Sequence, residues 1–277
     1  MKVITTFLVL MFLVGCSHSS PAKRLASAEQ LANENEWHQI IFKTSLFDLV
    51  SYVPENTILN TVLTVYIEGD GFAWRTSRQP SSDPTPHNPV ALKLALKHQN
   101  GAAAYLARPC QYHQELNETR LCNQSYWTKK RYAEEVISAS EQALTQLKNK
   151  YQANKLILVG YSGGAAVAAL LAAQRDDVKK LITVAGNLDH QAWTEFHNVT
   201  PLADSLNPVD YLEQLQDIPQ LHFVGEHDQN IPPKLAQDFI ANYDSAKFAK
   251  VIVVTDQSHS CCWQEIWPKL ILDNNIF

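Results

Sequence analysis

Gly160-Tyr161-Ser162-Gly163-Gly164 sets one serine among glycines in the pattern G-x-S-x-G. Ahead of it runs LILV and behind it AAVAALLAAQ, the strand–turn–helix setting that a nucleophile elbow requires. The reason is steric. A turn sharp enough to expose the Ser162 hydroxyl brings neighbouring Cβ atoms into collision, so glycines flank it. The alternative is a glycine turn with an incidental serine.

A serine hydroxyl needs a base to attack at neutral pH. His259, in TDQSHS, follows the last strand-like run. A loop there lies on the carboxyl edge of a parallel sheet, the same edge as the elbow. His190 is the rival, while His38 and His222 fall inside strand-like runs and His18 near the start of the chain. The imidazole in turn needs a carboxylate to fix its tautomer. Asp228, in GEHDQNIPP after the run LHFVG, is the first choice, and Asp189, after the preceding strand, the second. Glu226 is nearer its strand and is expected to point back into the turn.

The elements that must carry these residues alternate. Strand-like runs are HQIIFKTSLFDLVSYV (one or two antiparallel strands), LTVYIEG, AAAYLA, KLILVG, KKLITVAG, QLHFVG and KVIVVTD. Helical spacing marks Pro89–Gln99, Tyr132–Tyr151, Gly163–Arg175, Pro233–Asn242 and Cys262–Leu272, with Ala203–Gln216 mixed. Such alternation, with continuously apolar strands, predicts an α/β domain whose mostly parallel sheet is covered on both faces.

On the elbow, the run around Asp228 and His259 in SHS, residues 37–277 resemble the α/β-hydrolase superfamily. The resemblance implies a three-layer α/β/α sandwich around a mostly parallel eight-stranded sheet. It implies a short cap insertion at about 189–220, between the strands ending at Gly186 and Gly225. The order Ser162, Asp228, His259 is the order of that fold. It also implies an oxyanion hole built from the Gly163 N–H and an N–H in the loop Glu68-Gly69-Asp70-Gly71, with Asp70 the first choice and Gly71 the alternative. Many members carry His-Gly where this chain has Glu68-Gly69, which is a departure. A carboxylate beside an oxyanion is unfavourable, so Asp70 is expected to turn away, onto Arg75 or Arg78. Trp74, Tyr161 and Trp263 flank the three motifs as candidate substrate-binding residues. They are equally readable as packing, and Arg75 and Arg78 as solvated loop residues.

The activity implied is serine hydrolysis of an ester, thioester or amide, without a cofactor, first of all an esterase on a small or mid-sized soluble substrate. A cell-envelope peptidase is the alternative, and a non-catalytic binding module on the same fold is the alternative of another class.

The chain has 277 residues with a formal charge of −5, which excludes the basic footprint of a nucleic-acid binder. Met1-Lys2 leads into the apolar run Val3–Val14, too short for a span of ~20 residues and readable as a signal peptide. Leu13-Val14-Gly15-Cys16 resembles a bacterial lipoprotein signal. It implies cleavage after Gly15, lipidation of Cys16 and an outer-membrane anchor facing the periplasm, with the anchor as the only membrane contact. Residues 16–36 read as a polar tether. Export makes disulfides plausible. Cys110–Cys122 is the preferred pair, which leaves Cys261 and Cys262 reduced or bonded to each other. Zinc is the competing reading, and no CxxC pair supports it.

Overall fold

The computed structural model describes residues 20–56, 59–113, 121–243 and 247–276. The expected signal peptide and Cys16 lie outside them. Among the described residues ten strands are formed: β1 (Trp37–Lys43), β2 (Asp48–Pro54), β3 (Val62–Ile67), β4 (Trp74–Thr76), β5 (Gln79–Pro80), β6 (Ala102–Leu106), β7 (Lys155–Tyr161), β8 (Val178–Val184), β9 (Gln220–Gly225) and β10 (Ala249–Val254). The helices are α1 (Pro21–Asn33), α2 (Val90–Ala95), α3 (Glu134–Tyr151), α4 (Gly163–Ala173), α5 (His190–Phe196), α6 (Leu212–Leu215), α7 (Pro233–Ala241) and α8 (Trp263–Asp273).

Eight strands form one sheet in the order β1-β2-β6-β3-β7-β8-β9-β10, and β4 and β5 form a separate hairpin. Only β2 runs against the rest, paired antiparallel to β1 and to β6. Alternate side chains feed two cores. Leu63, Val65 and Ile67 of β3 join α3, α4 and α7 on one face. Tyr66 of β3 joins α1, α2 and α8 on the other. This is the three-layer α/β/α sandwich with an eight-stranded, mostly parallel sheet. The helix α4 is apolar all round and buried from Gly163 to Ala172, as a helix pressed into the middle of a fold must be.

One expectation is overturned. Residues 21–33 of the supposed tether form α1, started by Pro21 and by Ser20, whose hydroxyl caps the Lys23 N–H. Leu25, Ala28 and Ala32 are buried against the sheet, and Arg24 is paired with Asp83 at 2.9 Å with both side chains buried. The seam was illegible because two of its three apolar residues are alanines, which hardly raise local hydropathy. The cap segment contains α5, a 3-10 turn (Pro208–Tyr211) and α6.

Candidate active site

The last residue of β7 leads into Ser162, which adopts φ 51° and ψ −121°. A non-glycine residue at positive φ is strained by roughly 1–3 kcal/mol and persists only where the surroundings hold it. Here the Ser162 N–H donates to Val184 O at 3.0 Å, and its carbonyl accepts from the Ala165 and Asn187 N–H groups at 3.1 Å. The glycines are obligatory. A Cβ on Gly160 would lie 2.4 Å from Ala165 Cα, and one on Gly164 2.3 Å from Glu68 O.

Three side chains from three loops on the carboxyl edge then meet. Ser162 Oγ lies 3.0 Å from His259 Nε2, and His259 Nδ1 lies 2.8 Å from Asp228 Oδ2. The other Asp228 oxygen accepts the N–H groups of Asn230 and Ile231, both at 2.8 Å, and the side chain has no solvent exposure. A carboxylate so satisfied acts as an acceptor only, which puts the His259 proton on Nδ1 and leaves Nε2 open. The His259 carbonyl accepts from Tyr161 OH at 3.2 Å and from the Trp263 indole N–H at 3.1 Å. The rivals are elsewhere. Asp189 caps α5 through the Gln191 and Ala192 N–H groups. His190 is buried against the Ser205 carbonyl, and Glu226 is solvent-exposed.

The loop after β3 lies against the elbow, since a Cβ on Gly69 would sit 3.3 Å from Ser162 Cβ. Glu68 is buried and accepts the Gly69 N–H at 2.9 Å, the Tyr105 hydroxyl at 3.2 Å and the Ala91 N–H at 3.4 Å. With the Gly69 amide so occupied, the next one along the loop is that of Asp70. Burial pushes the Glu68 carboxyl up to about 7, against these hydrogen bonds.

The Asp70 side chain does not reach Arg75 or Arg78, which are exposed around the β4–β5 hairpin. It pairs instead with Arg131 Nη1 at 2.6 Å and Arg108 Nη1 at 3.2 Å, with the Tyr132 hydroxyl at 3.4 Å. Arg108 also donates to the Arg131 carbonyl. Burial alone would raise the Asp70 carboxyl, but the two guanidinium groups outweigh it and hold it below the usual carboxylate range. Two buried cations against one anion make this cluster net positive next to Gly163.

Ser162, His259, Asp70 and Glu68 open onto one cleft of about 440 Å³. Trp74 and Tyr161 line it, as do Arg131, Trp193 and Asn230. Trp263 does not. It is 1% exposed, packed under the His259 loop in the core shared by α1, α2 and α8, so its substrate-binding reading is withdrawn. Three residues escaped sequence reasoning: Asn230, Arg131 and Arg108. Arg108 carried a usable signal, because it follows a strand directly on the carboxyl edge, the criterion that picked out Asp228. Asn230, two positions past Asp228, shared that same loop.

Cys110 and Cys122 form a disulfide with Cα atoms 5.6 Å apart, and Cys261 is bonded to Cys262. Among the described residues no cluster of His, Cys, Asp and Glu is arranged to hold a metal ion, and no helix is long and apolar enough to cross a membrane.

The serine hydrolase (FSH1) family matches residues 91–261, more than half of the chain. No curated protein sequence matches it. Among solved structures, an alpha-beta serine hydrolase homologue from Coxiella burnetii is 15% identical with a TM-score of 0.58, covering 87% of this chain and 97% of that one. Est1E from Butyrivibrio proteoclasticus is 14% identical with a TM-score of 0.59, covering 86% and 99%. The acylaminoacyl peptidase of Pyrococcus horikoshii is 14% identical with a TM-score of 0.57, covering 87% of this chain and 41% of that one. At such identities the likeness is one of fold. The family match carries more: this chain belongs to the FSH1 serine hydrolase family.

Proposed function

We propose that this FSH1-family hydrolase is an esterase that works through Ser162, His259 and Asp228. The observation that carries the reading is the unbroken hydrogen-bonded chain from Ser162 Oγ through both His259 nitrogens to buried Asp228. Ser162 Oγ attacks the ester carbonyl carbon while its proton passes to His259 Nε2. The oxyanion is received by the Gly163 and Asp70 N–H groups, with the Arg108–Arg131 cluster adding positive field. Collapse expels the alcohol, which takes the proton from Nε2. Water then attacks the acyl-enzyme with His259 again as base, releasing acid and free Ser162. Asp228 keeps the imidazole oriented and stabilises its charged form. Trp74 and Tyr161 form aromatic walls for a small or mid-sized acyl or alcohol group. The short cap favours a soluble substrate over a long-chain lipid.

The N-terminal residues support a location. Cleavage after Gly15 and lipidation of Cys16 would hold the enzyme on the periplasmic face of the outer membrane, with α1 leading directly into the folded domain. A fluorophosphonate probe and a short p-nitrophenyl ester test the chemistry. The wild type is labelled on Ser162 and turns over, and Ser162→Ala does neither while keeping its circular dichroism. Equal labelling of both proteins would refute the assignment.

A further inference from the structure

Asn230 touches the base itself. Its Nδ2 lies 3.0 Å from His259 Nε2, as close as Ser162 Oγ. The amide orientation follows from Trp193, whose indole N–H lies 3.0 Å from Asn230 O and 3.3 Å from Asn230 Oδ1. An indole N–H only donates, so the oxygen end of the amide faces Trp193 and the NH₂ end faces His259. The Asn230 backbone is held from both sides, its N–H on Asp228 Oδ1 at 2.8 Å and its carbonyl accepting from His197 Nε2 at 2.8 Å.

Neutral imidazole offers one lone pair at Nε2, and two donors aim at it. Asn230 therefore competes with the Ser162 hydroxyl while His259 is neutral. Once Nε2 takes the Ser162 proton, donor faces donor, and Asn230 opposes the charged form. The conflict ends if the amide turns about χ2 and presents Oδ1 to the Nε2–H. That turn costs the longer Trp193 contact alone, because Trp193 keeps its bond to the backbone carbonyl.

We propose that Asn230 is a positioning residue that holds His259 neutral and Nε2-open between turnovers, and that its amide turns over when Nε2 is protonated. Trp193 belongs to α5 and lines the cleft, so a substrate pressing on the cap helix bears on the amide that governs the base. The proposal rests on the reading of His259 as general base.

The test is the pH dependence of kcat/KM in Asn230→Ala and in the nearly isosteric Asn230→Asp. It is paired with an NMR titration of His259 in the Ser162→Ala background, which requires no activity. Removing a donor that favours the neutral ring moves the acidic limb to higher pH in Asn230→Ala by about half a unit. Placing a carboxylate there moves it by about one unit or more, and the NMR titration follows in the same order. The other charged or titratable groups around His259 are the same in every variant: Asp228 at Nδ1, the Tyr161 ring 5.6 Å away, the Asp70–Arg131 pair on the cleft, His197 behind Asn230, and Glu68, whose own titration near 7 adds to the kcat/KM profile and is separated from His259 by the NMR titration. A merely structural asparagine would lower kcat without moving either profile. Both variants titrating as the wild type, on folded protein, overturn the proposal alone. A wild type with no fluorophosphonate adduct on Ser162 overturns it together with the reading of the triad.

Discussion

The Asp70 carboxylate occupies the space that a side chain on Gly163 would need. A Cβ there would lie 2.1 Å from Asp70 Oδ1 and 2.4 Å from Asp70 Cγ. The residue after the elbow serine must therefore lack a side chain for a reason outside the elbow itself. The anion is tolerated beside a candidate oxyanion site because Arg108 and Arg131 each bind one of its oxygens.

Gly163→Ala is expected to displace Asp70 from its arginines and shift the loop whose Asp70 amide is the proposed second oxyanion donor. Losing one oxyanion donor costs on the order of 10²–10³ in kcat. Steady-state hydrolysis of a short ester, with thermal melting to confirm folding, measures it. Wild-type kcat in the variant would mean that Asp70 can leave its place without consequence.

Asp70→Asn keeps the shape and removes the charge. Two buried guanidinium groups are then left without their counter-ion, which for a buried pair costs about 3–5 kcal/mol. Urea unfolding at neutral pH gives the difference. A change under about 1 kcal/mol would show that the pairing contributes no more than a surface ion pair.

Asp228→Asn and Asp189→Asn separate the acid from its sequence-level rival. Loss of the Asp228 carboxylate leaves His259 without its orienting acceptor, for which a loss of about 10⁴ in kcat is expected. Asp189 caps α5 and accepts from Asn207 Nδ2 at 2.8 Å, so its change costs about 1 kcal/mol of stability and less than about tenfold in rate. The opposite ranking on folded variants would move the acid.

Glu68 supplies a pH dependence of stability. Its carboxyl titrates near 7 in the folded protein and at the ordinary 4.5 when unfolded, because burial disfavours the charge. Between those values the native state holds a proton that the unfolded chain has lost. Stability from this residue is thus complete below about pH 4.5 and falls as pH rises through 7, by about 3 kcal/mol. Glu68→Gln should flatten that part of the profile. Denaturant midpoints of both proteins at mildly acidic and mildly alkaline pH decide it, and parallel profiles would count against a buried protonated Glu68.

Leu25→Ala tests α1 as part of the fold. Leu25 is 6% exposed, and truncating a buried leucine costs about 2–5 kcal/mol. A tether would tolerate the change freely, so an unchanged melting temperature would restore that reading.

The sequence by itself determined the features that local sterics and chain order control. Gly160, Gly163 and Gly164 around Ser162, between an apolar strand and a small-residue helix, admit one kind of turn. The order Ser162, Asp228, His259, each after a strand, sends all three to one sheet edge. Tertiary structure alone decided which loops touch there. Arg108 and Arg131 stand 38 and 61 residues from Asp70, and no local period links such positions. They meet because the loop after β6 and the segment before α3 close over the loop after β3. Trp263 and α1 show the same limit from the other side. An indole beside a motif reads alike whether it walls a cleft or fills a core, and an alanine seam reads as polar until a sheet is packed against it. Burial is a property of what covers a residue, and the covering segments here come from distant parts of the chain.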